Sequence, residues 1–281
     1  MVGIAYLNGQ WSAPEAAKVS VFDRGFMFGD AIYEVMPVYG GRIFTETEHL
    51  ARLSRSLNEV KISPPMTESQ WSLLLREAVQ RSGERDALIY VQVTRGVAPT
   101  RSHVYPNTKP TVLVTVTPFK PVAREAVVPL SVKTALDFRW QRADIKVTSL
   151  IANGMIKNEA LAEGYDDAVM IRDGKVTEGT ASNVFIVVGD EIRTPPKSWQ
   201  LLHGITRAEM IDTARGCGME VVETIIDEAE LYEAHELWLS STGLELAPVG
   251  RVNDQLIGDG KAGPIWHQMF EAFQKRKQTI D

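Results

Sequence analysis

The sequence lacks the features of several protein classes, beginning with cysteine. Cys217 is the only one, which excludes an intrachain disulfide framework and a metal site built from several cysteines. The five histidines are scattered and show neither HExxH nor another metal-ligand spacing. No apolar run approaches the roughly 18 residues of a membrane span, and the first fifteen residues carry no signal-peptide pattern. We therefore expect a cytoplasmic protein without a metal ion.

Long basic runs and phosphate-binding loops are missing as well. The net charge is −6, and the densest basic run, KRK at 275–277, is typical of a solvated helix end and not of a nucleic-acid surface. Neither GxGxxG nor GxxxxGK[ST] occurs, which argues against dinucleotide-binding and P-loop folds, and the nucleophile elbow GxSxG is absent too. With 44% hydrophobic and 23% charged residues the chain has the composition of a soluble globular protein. These absences favour chemistry that depends on a borrowed cofactor.

The order of strands and helices predicts a mixed α/β fold in two unequal parts. The segment PFKPVAREAVVP has three prolines in twelve residues, which favours an interdomain linker at 118–124. This linker would separate a smaller N-terminal domain (1–117) from a larger C-terminal domain (125–281). We expect a binding site at their junction.

Local signals for helices and turns support this organisation. Thr45 with Glu48, and Thr67 with Gln70, have the spacing of capping boxes, which predicts a helix after each threonine. Apolar residues then recur at helical spacing along both segments. The GG pair at 40–41 predicts a hairpin turn between two strands.

Three charged residues are candidates for chemistry. Lys146 lies between Ile145 and Val147, and an amine in apolar surroundings loses its proton more easily, as Schiff-base chemistry requires. A lysine whose head simply reaches water is the alternative. Glu178 is the single carboxylate in TEGTASN, directly before the buried strand VFIVV. Arg52 borders an apolar helical stripe, where a guanidinium either binds a phosphate through two hydrogen bonds or lies on the surface.

Two further segments offer groups that bind anions. GITR at 204–207 places Ile205 and Thr206 at a helix start, where N–H groups and the positive end of the helix dipole attract an anion. Thr206 as an ordinary N-cap is the alternative. The hydroxyls of SST at 240–242 either bind the same anion or complete a turn. A lysine for a Schiff base, an arginine with a helix N-terminus for a phosphate, and a carboxylate for a ring nitrogen are together what pyridoxal phosphate requires.

Six segments carry a resemblance to a known family. They are DRGFMFGDAIYEV, EHLARL, DIKVTSLIANGMIKNEA, VTEGTASNVF, GITR and SSTGLELAPV. Over nearly its whole length the chain resembles the class IV (fold type IV) pyridoxal-phosphate aminotransferases, in particular the D-amino acid transaminases. The resemblance implies a fold type IV enzyme whose larger domain has a β-barrel-like core.

The resemblance also implies roles for individual residues. Lys146 would form the Schiff base with the cofactor and move the substrate proton, and Glu178 would pair with the pyridine nitrogen. Tyr33 would lie near the cofactor's phenolic oxygen and the substrate, unless it only packs within its strand. Ser182 and Asn183 would support Glu178, or only satisfy backbone groups at the strand entrance. The residues implied for the phosphate come from three segments: Arg52, Ile205, Thr206, Ser241 and Thr242.

Arg101 and His103, in TRGVAPTRSHVYP, resemble the substrate-carboxylate trap of D-amino acid transaminases, in which a homodimer shares its active sites and the loop comes from the neighbouring subunit. A guanidinium and an imidazole together hold one carboxylate in a fixed orientation. The favoured function is a ping-pong transfer of the amino group from a D-amino acid, such as D-alanine, to a 2-oxo acid, such as 2-oxoglutarate or pyruvate. The alternatives in the family are a branched-chain L-amino acid or (R)-amine transaminase and an aminodeoxychorismate lyase. A non-enzymatic binding protein with the same fold is the alternative outside it.

Overall fold

The structure is a computed structural model and describes residues 3–123 and 127–279. Helices and strands are interspersed along the chain, which confirms the mixed α/β class. Among the described residues, no helix is both long and apolar enough to cross a membrane.

Two compact units make up the chain. Unit 1 comprises Met1–Pro121 with Ile145–Ser149, and unit 2 comprises Val122–Asp144 with Leu150–Asp281. The domain and linker boundaries drawn from the sequence stay a prediction, and their limits at residues 1, 124, 125 and 281 fall outside the described residues. Lys146 groups with unit 1, although its position in the sequence lies in the predicted second domain.

Unit 1 contains a six-stranded sheet. Its strands are β1 (Ile4–Leu7), β2 (Gln10–Ser12), β3 (Ala31–Tyr39), β4 (Arg42–Ile43), β5 (Ala87–Thr94) and β6 (Thr111–Pro118). They are antiparallel throughout, in the order β2-β1-β6-β5-β3-β4. Gly40 and Gly41 join β3 to β4 with φ angles of 59° and 85°, so the predicted hairpin turn is confirmed.

The described part of unit 1 also contains a short 3-10 helix (Pro14–Ala16) and three α-helices. The α-helices are α1 (Arg24–Phe28), α2 (Glu46–Glu59) and α3 (Glu68–Ser82), and α2 and α3 share one hydrophobic core with the sheet. The capping box predicted before α3 is confirmed, because the side chains of Thr67 and Gln70 each accept a hydrogen bond from the other's backbone N–H, at 3.3 and 2.9 Å. The box predicted before α2 is wrong. Thr45 has a φ of 54°, and its hydroxyl donates to the Phe44 carbonyl and does not cap the helix.

The segment 145–149 lies along the beginning of β3. Ile32 and Val147 form an antiparallel bridge, and the Tyr33 N–H donates to the Lys146 carbonyl at 3.0 Å. These backbone hydrogen bonds explain why five residues distant in sequence belong to unit 1. They also place Lys146 beside Tyr33.

Unit 2 is built on a nine-stranded mixed sheet. Its strands are β7 (Leu130–Leu136), β8 (Asp167–Arg172), β9 (Lys175–Gly179), β10 (Asn183–Val188), β11 (Glu191–Thr194), β12 (Glu220–Glu223), β13 (Glu236–Ser241), β14 (Glu245–Val252) and β15 (Gln255–Leu256). The order is β12-β11-β10-β13-β14-β7-β8-β9, with β15 paired to β14. The sheet curls, so that the Gly179 N–H at the end of β9 donates to the Ser182 carbonyl just before β10, at 2.7 Å.

Four helices accompany this sheet in the described part of unit 2. They are α4 (Ile151–Ala162), α5 (Ile205–Gly216), α6 (Glu230–Glu233) and α7 (Pro264–Gln278). Pro264 opens α7, the position where a missing N–H costs nothing. Near its end, Lys277 forms a buried ion pair with Glu245 at 2.8 Å, which fixes the last helix to the start of β14.

Candidate active site

Lys146 and Tyr33 lie next to each other in unit 1. The Lys146 Nζ is 4.3 Å from the centre of the Tyr33 ring. Tyr33 is half-buried, and its ring centre lies 5.8 Å from that of Tyr90. The fold thus brings an amine and a phenol together, two groups able to transfer protons to and from a substrate.

Arg52 is buried in α2 and is bound by a carboxylate. Its Nε donates to Oε1 of Glu34 and its Nη2 to Oε2, both at 2.7 Å. His49, one turn earlier in α2, has Nδ1 at 2.8 Å from Oε2 of Glu34. We call Glu34, His49 and Arg52 the Glu34 cluster; none of its members is more than 7% exposed. That Arg52 binds a phosphate stays a prediction.

The Glu34 cluster has a defined charge state. Burial alone would raise the pKa of Glu34, but Arg52 and His49 outweigh it and hold the pKa of this carboxyl far below its usual range. The pKa of His49 is lowered, mainly by burial and further by the charges of Arg52 and Lys146, although Glu34 acts to raise it. The imidazole is therefore neutral at pH 7. Because an ionised carboxylate only accepts hydrogen bonds, we assign the ring proton to Nδ1.

Sequence reasoning missed Glu34 and His49, although signals for both were present. Glu34 is a lone acid inside the apolar strand AIYEV, and a buried carboxylate needs a partner. His49 precedes Arg52 by three residues, which puts the two side chains on the same face of a helix.

Arg101 and His103 lie in the loop 95–110, between β5 and β6. Both are exposed, and both side chains pack on the ring of Phe28. The Arg101 Cζ is 4.6 Å from the ring centre, and the His103 ring centre is 5.8 Å away. The two residues predicted to bind a carboxylate therefore contact the same aromatic side chain, which sequence reasoning had not selected.

Glu178 is the centre of a second group, in unit 2. It lies in β9 and is 5% exposed. Its Oε2 accepts from the Leu202 N–H at 2.9 Å and from Asn183 Nδ2 at 3.3 Å, and its Oε1 accepts from Arg139. Asn183 thus contacts Glu178 directly, which is consistent with the supporting role predicted for it.

Arg139 links Glu178 to a second carboxylate. Its Nε and Nη2 donate to the two oxygens of Asp137, each at 2.9 Å. Burial raises the pKa of Glu178; Arg139 opposes this rise, and the nearby charge of Asp137 adds to it. Sequence reasoning missed Arg139 and Asp137. The available signal was a pair of opposite charges two residues apart in DFRW, which begins directly after β7.

The first turn of α5 has no side-chain cap. Gly204 is the N-cap, so Ile205 and Thr206 are the first residues inside the helix, and the reading of Thr206 as an N-cap is wrong. Gly204 packs closely on Asn183, because a Cβ at Gly204 would lie 2.0 Å from Asn183 Oδ1. This helix start offers backbone N–H groups and the positive end of the helix dipole to an anion.

Several hydroxyl groups lie in or beside strands β10 and β13 of unit 2. Ser241 ends β13, and its Oγ accepts from the N–H three residues further on at 3.1 Å, so it completes a turn; Thr242 follows in that turn. Ser182 and Ser240 are buried, and neither Oγ has a hydrogen-bond partner. Ser240 pairs with Asn183 across β10 and β13. Sequence reasoning chose the two residues that follow it, Ser241 and Thr242, because the burial of Ser240 within β13 is not visible in SST.

The residues predicted for the site therefore form groups within each unit. Unit 1 holds Lys146 with Tyr33, Arg52 with Glu34, and Arg101 with His103. Unit 2 holds the remaining predicted residues: Glu178, Ser182, Asn183, Ile205, Thr206, Ser241 and Thr242.

Comparisons of sequence identify the relatives of this chain. The profile of the family described as amino-transferase class IV matches residues 31–252. The D-alanine aminotransferase of Bacillus licheniformis is 37% identical over 267 residues, which cover 95% of this chain and 94% of the relative. The D-alanine aminotransferase of Staphylococcus haemolyticus is 34% identical over 272 residues, 96% of each chain.

Solved structures share the whole fold. The branched-chain aminotransferase of Thermoproteus uzoniensis with norvaline has a TM-score of 0.89 at 27% identity and covers 98% of this chain and 94% of its own. The T.th. branched-chain amino acid aminotransferase with pyridoxamine 5′-phosphate has a TM-score of 0.91 at 26% identity, with 99% and 94% covered. The expected fold type IV is confirmed. This chain belongs to the class IV aminotransferases, which are pyridoxal-phosphate enzymes.

Proposed function

We propose that this aminotransferase moves the amino group of a D-amino acid, such as D-alanine, to a 2-oxo acid, such as pyruvate or 2-oxoglutarate. The observation that carries the proposal is the placement of Arg101 and His103 on one aromatic ring. Two adjacent donors of this kind hold a carboxylate in one orientation, so one α-hydrogen is selected. The relatives that are 34% and 37% identical and are named D-alanine aminotransferase support the same substrate class.

The residues of unit 2 fit pyridoxal phosphate. The α5 start, which no side chain caps, and the buried Oγ of Ser240, which has no partner, suit a phosphate and its surroundings. Burial raises the pKa of Glu178, and a carboxylate of this kind gains from a further hydrogen-bond donor such as a protonated ring nitrogen. When bound, the cofactor accepts the amino group and takes up the electrons of the α-carbon.

The chain's own residues supply binding, orientation and proton transfer. Lys146 is the amine that would hold the cofactor covalently and move the proton at the substrate α-carbon. The ring centre of Tyr33 is 4.3 Å from that amine. Tyr33 would orient the lysine and contact the bound substrate. Glu178 would keep the ring nitrogen protonated. Arg52, which Glu34 holds in place, would bind the phosphate.

A branched-chain L-amino acid transaminase is the second candidate. Two solved structures with the same fold are named branched-chain aminotransferases, one of them with norvaline. Their identity to this chain is 26% and 27%, lower than that of the D-alanine aminotransferases. We therefore prefer a D-amino acid as the donor.

The half-reaction tests the proposal. The yellow holoenzyme is mixed separately with D-alanine, L-leucine and (R)-1-phenylethylamine, and the loss of its visible absorption is followed. We expect that D-alanine alone bleaches the wild-type holoenzyme rapidly, with pyruvate as the product. The Lys146→Ala variant should not be bleached by D-alanine. Bleaching mainly by L-leucine would favour the second candidate, and comparable bleaching by the amine would show that no carboxylate is needed.

We further propose a homodimer in which the loop 95–110 of one subunit serves the active site of the other. Apolar side chains on and beside this loop support it, since Phe26, Val104 and Tyr105 are 72%, 77% and 55% exposed. Exposed apolar residues in such a group are typical of an interface. The carboxylate-binding pair would then act in the partner's site.

Mixed dimers test this arrangement. Lys146→Ala and Arg101→Ala each remove one part of the site, and a dimer with one copy of each would regain one complete site. Unfolding and refolding the two variants together at equal amounts should restore about a quarter of the wild-type activity. The two variants refolded separately provide the control. If the mixture is no more active than their average, the loop acts within its own chain.

A further inference from the structure

Arg101 and His103 owe their position to residues outside the loop that carries them. Both side chains lie against the ring of Phe28, at 4.6 Å from the guanidinium carbon and 5.8 Å between ring centres. Phe28 is the last residue of α1 and is half-buried. A second guanidinium, that of Arg24, has its carbon 4.5 Å from the centre of the same ring. The loop therefore rests on a ring that α1 holds in place.

Arg24 also binds the loop's backbone between the two side chains. It is 3% exposed, and its Nη1 donates to the carbonyl of Ser102 at 2.5 Å. Ser102 separates Arg101 from His103. The Nε of Arg24 donates to Oδ2 of Asp30 at 2.8 Å, which fixes the guanidinium. A buried, ion-paired arginine thus sets the backbone that links the two exposed side chains.

Asp30 anchors a later part of the same loop through a second arginine. Arg95 donates to both oxygens of Asp30, at 2.8 and 3.0 Å. It also donates to the carbonyls of Val60 and Lys61 at 2.7 and 2.8 Å. The Arg95 guanidinium carbon lies 3.6 Å from the centre of the Tyr105 ring. One carboxylate therefore orders two guanidiniums, which hold the loop at Ser102 and at Tyr105.

We infer that Arg24, Phe28 and Asp30 are positioning residues that orient Arg101 and His103 for a substrate carboxylate. The inference rests on the proposed function, because it concerns how that substrate is held. None of the three touches the carboxylate; they fix the geometry of the two residues that do. Preorganised donors bind an anion better because the loop loses less freedom on binding. Their removal therefore acts on substrate affinity more than on the chemical steps.

Variants of Phe28 and Arg24 in the holoenzyme separate this role from simple packing. Phe28→Leu keeps an apolar side chain but removes the aromatic face, whereas Phe28→Tyr keeps that face. Arg24→Met keeps much of the length of the side chain and removes its hydrogen bonds. Arg81→Met is the matched control, because Arg81 also lies over an aromatic ring in unit 1, 5.1 Å from the centre of Trp11, on the surface.

The measurements are KM and kcat with D-alanine, the Kd of D-lactate by calorimetry, and the thermal midpoint. D-lactate carries the same carboxylate but has no amino group to transfer. We expect Phe28→Leu and Arg24→Met to raise both KM and Kd about tenfold, with kcat at saturation within about twofold of wild type. Phe28→Tyr and Arg81→Met should stay within about twofold in every constant.

The inference is overturned if Phe28→Leu and Arg24→Met lower the thermal midpoint but leave KM and Kd unchanged. If Arg24→Met does not fold, the contrast between Phe28→Leu and Phe28→Tyr decides. Wild-type holoenzyme that does not react with D-alanine would overturn the proposed function itself and, with it, this inference. That result is seen before any variant is compared, so the two failures are distinguishable.

Discussion

Two buried glutamates, Glu34 in unit 1 and Glu178 in unit 2, each bind an arginine, yet their pKa values shift in opposite directions. Burial acts to raise the pKa of both carboxyls. At Glu34, a two-point contact with Arg52 and a hydrogen bond to His49 more than offset it. At Glu178, burial outweighs the opposing effects of Arg139 and of the Leu202 N–H, and the nearby charge of Asp137 raises the pKa further.

The difference shows what each carboxylate is able to do. Glu34 is ionised, and its charge is balanced by Arg52 within unit 1. Its carboxylate holds the side chains of Arg52 and His49 in place. Glu178 shares its cation with another acid and gains from a further positively charged partner. In the proposed function the protonated pyridine nitrogen is that partner. The comparison thus separates a glutamate that organises the fold from one for which we propose a role in the chemistry.

The largest effect is expected from Glu34→Gln. This change removes the charge of Glu34 from the buried ion pair with Arg52, and breaking one side of a buried ion pair costs about 3–5 kcal/mol of unfolding free energy. Urea unfolding measures it. Glu77→Gln is the control, because its ion pair with Arg81 is exposed and should change stability by less than about 1 kcal/mol. A loss below about 1 kcal/mol for Glu34→Gln would show that the two glutamates do not differ as argued.

Glu178→Gln should show the reverse combination of effects. Arg139 keeps Asp137 as its partner, so we expect the unfolding free energy of the apoenzyme to change by less than about 1 kcal/mol. The rate of transamination should fall about 100-fold, because the ring nitrogen loses its anionic partner. Both are measured on the same preparation. An apoenzyme as destabilised as Glu34→Gln would assign Glu178 to the fold.

The opposite pKa shifts also predict opposite responses to pH. Glu34, with its lowered pKa, contributes stability that is complete above the usual glutamate pKa of about 4.3 and is lost as the pH falls towards the lowered value. Glu178, with its raised pKa, contributes fully below about 4.3, and this contribution is lost as the pH rises through the raised value. Urea unfolding of the apoenzymes between pH 3 and pH 8 distinguishes the two.

Relative to wild type, Glu34→Gln should therefore lose part of its disadvantage at the acid end of this range. Glu178→Gln should improve relative to wild type as the pH rises towards neutrality. Parallel curves for the two variants would contradict the assignment of different charge environments.

Local signals in the sequence predicted those parts of the fold that depend on neighbouring residues. The Gly40–Gly41 turn and the capping box of Thr67 and Gln70 are both confirmed, since their geometry depends on residues a few positions apart. The capping box at Thr45 failed although its spacing was correct. The chain leaves β4 two residues earlier, and Thr45 takes a left-handed φ of 54° that turns its hydroxyl away from the helix. Here the connection overrode the local preference.

Partners distant in sequence explain what the sequence did not predict. Glu34 and Arg52 are 18 residues apart, and Arg139 and Glu178 are 39 apart. Nothing in the spacing of either pair points to the other member. Lys146 likewise belongs to unit 1 because its segment forms backbone hydrogen bonds with β3. The motif residues could be selected from the sequence because each has a chemical type and a local setting that its proposed task requires.

The smallest expected effect concerns hydroxyls without partners. Ser240 Oγ in unit 2 and Ser56 Oγ in unit 1 are both buried without a hydrogen-bond partner. Replacing either serine by alanine removes an unsatisfied group, so the unfolding free energy of the apoenzyme should stay the same or rise by up to about 1 kcal/mol. Thr194→Ala is the contrast, because that hydroxyl donates to the Val184 carbonyl at 2.7 Å, and its loss should cost about 1 kcal/mol.

Affinity for pyridoxal phosphate separates the two serines. Ser240 pairs with Asn183, which contacts Glu178 and packs against the α5 start, whereas Ser56 lies in α2. One hydrogen bond of about 1 kcal/mol corresponds to about a fivefold change in affinity. We expect the Kd of the cofactor to rise by this factor in Ser240→Ala and to stay unchanged in Ser56→Ala, as measured by titration of the apoenzyme. Equal affinities would mean that the unpartnered hydroxyl of unit 2 is a packing feature like that of unit 1, and that Ser240 takes no part in binding the cofactor.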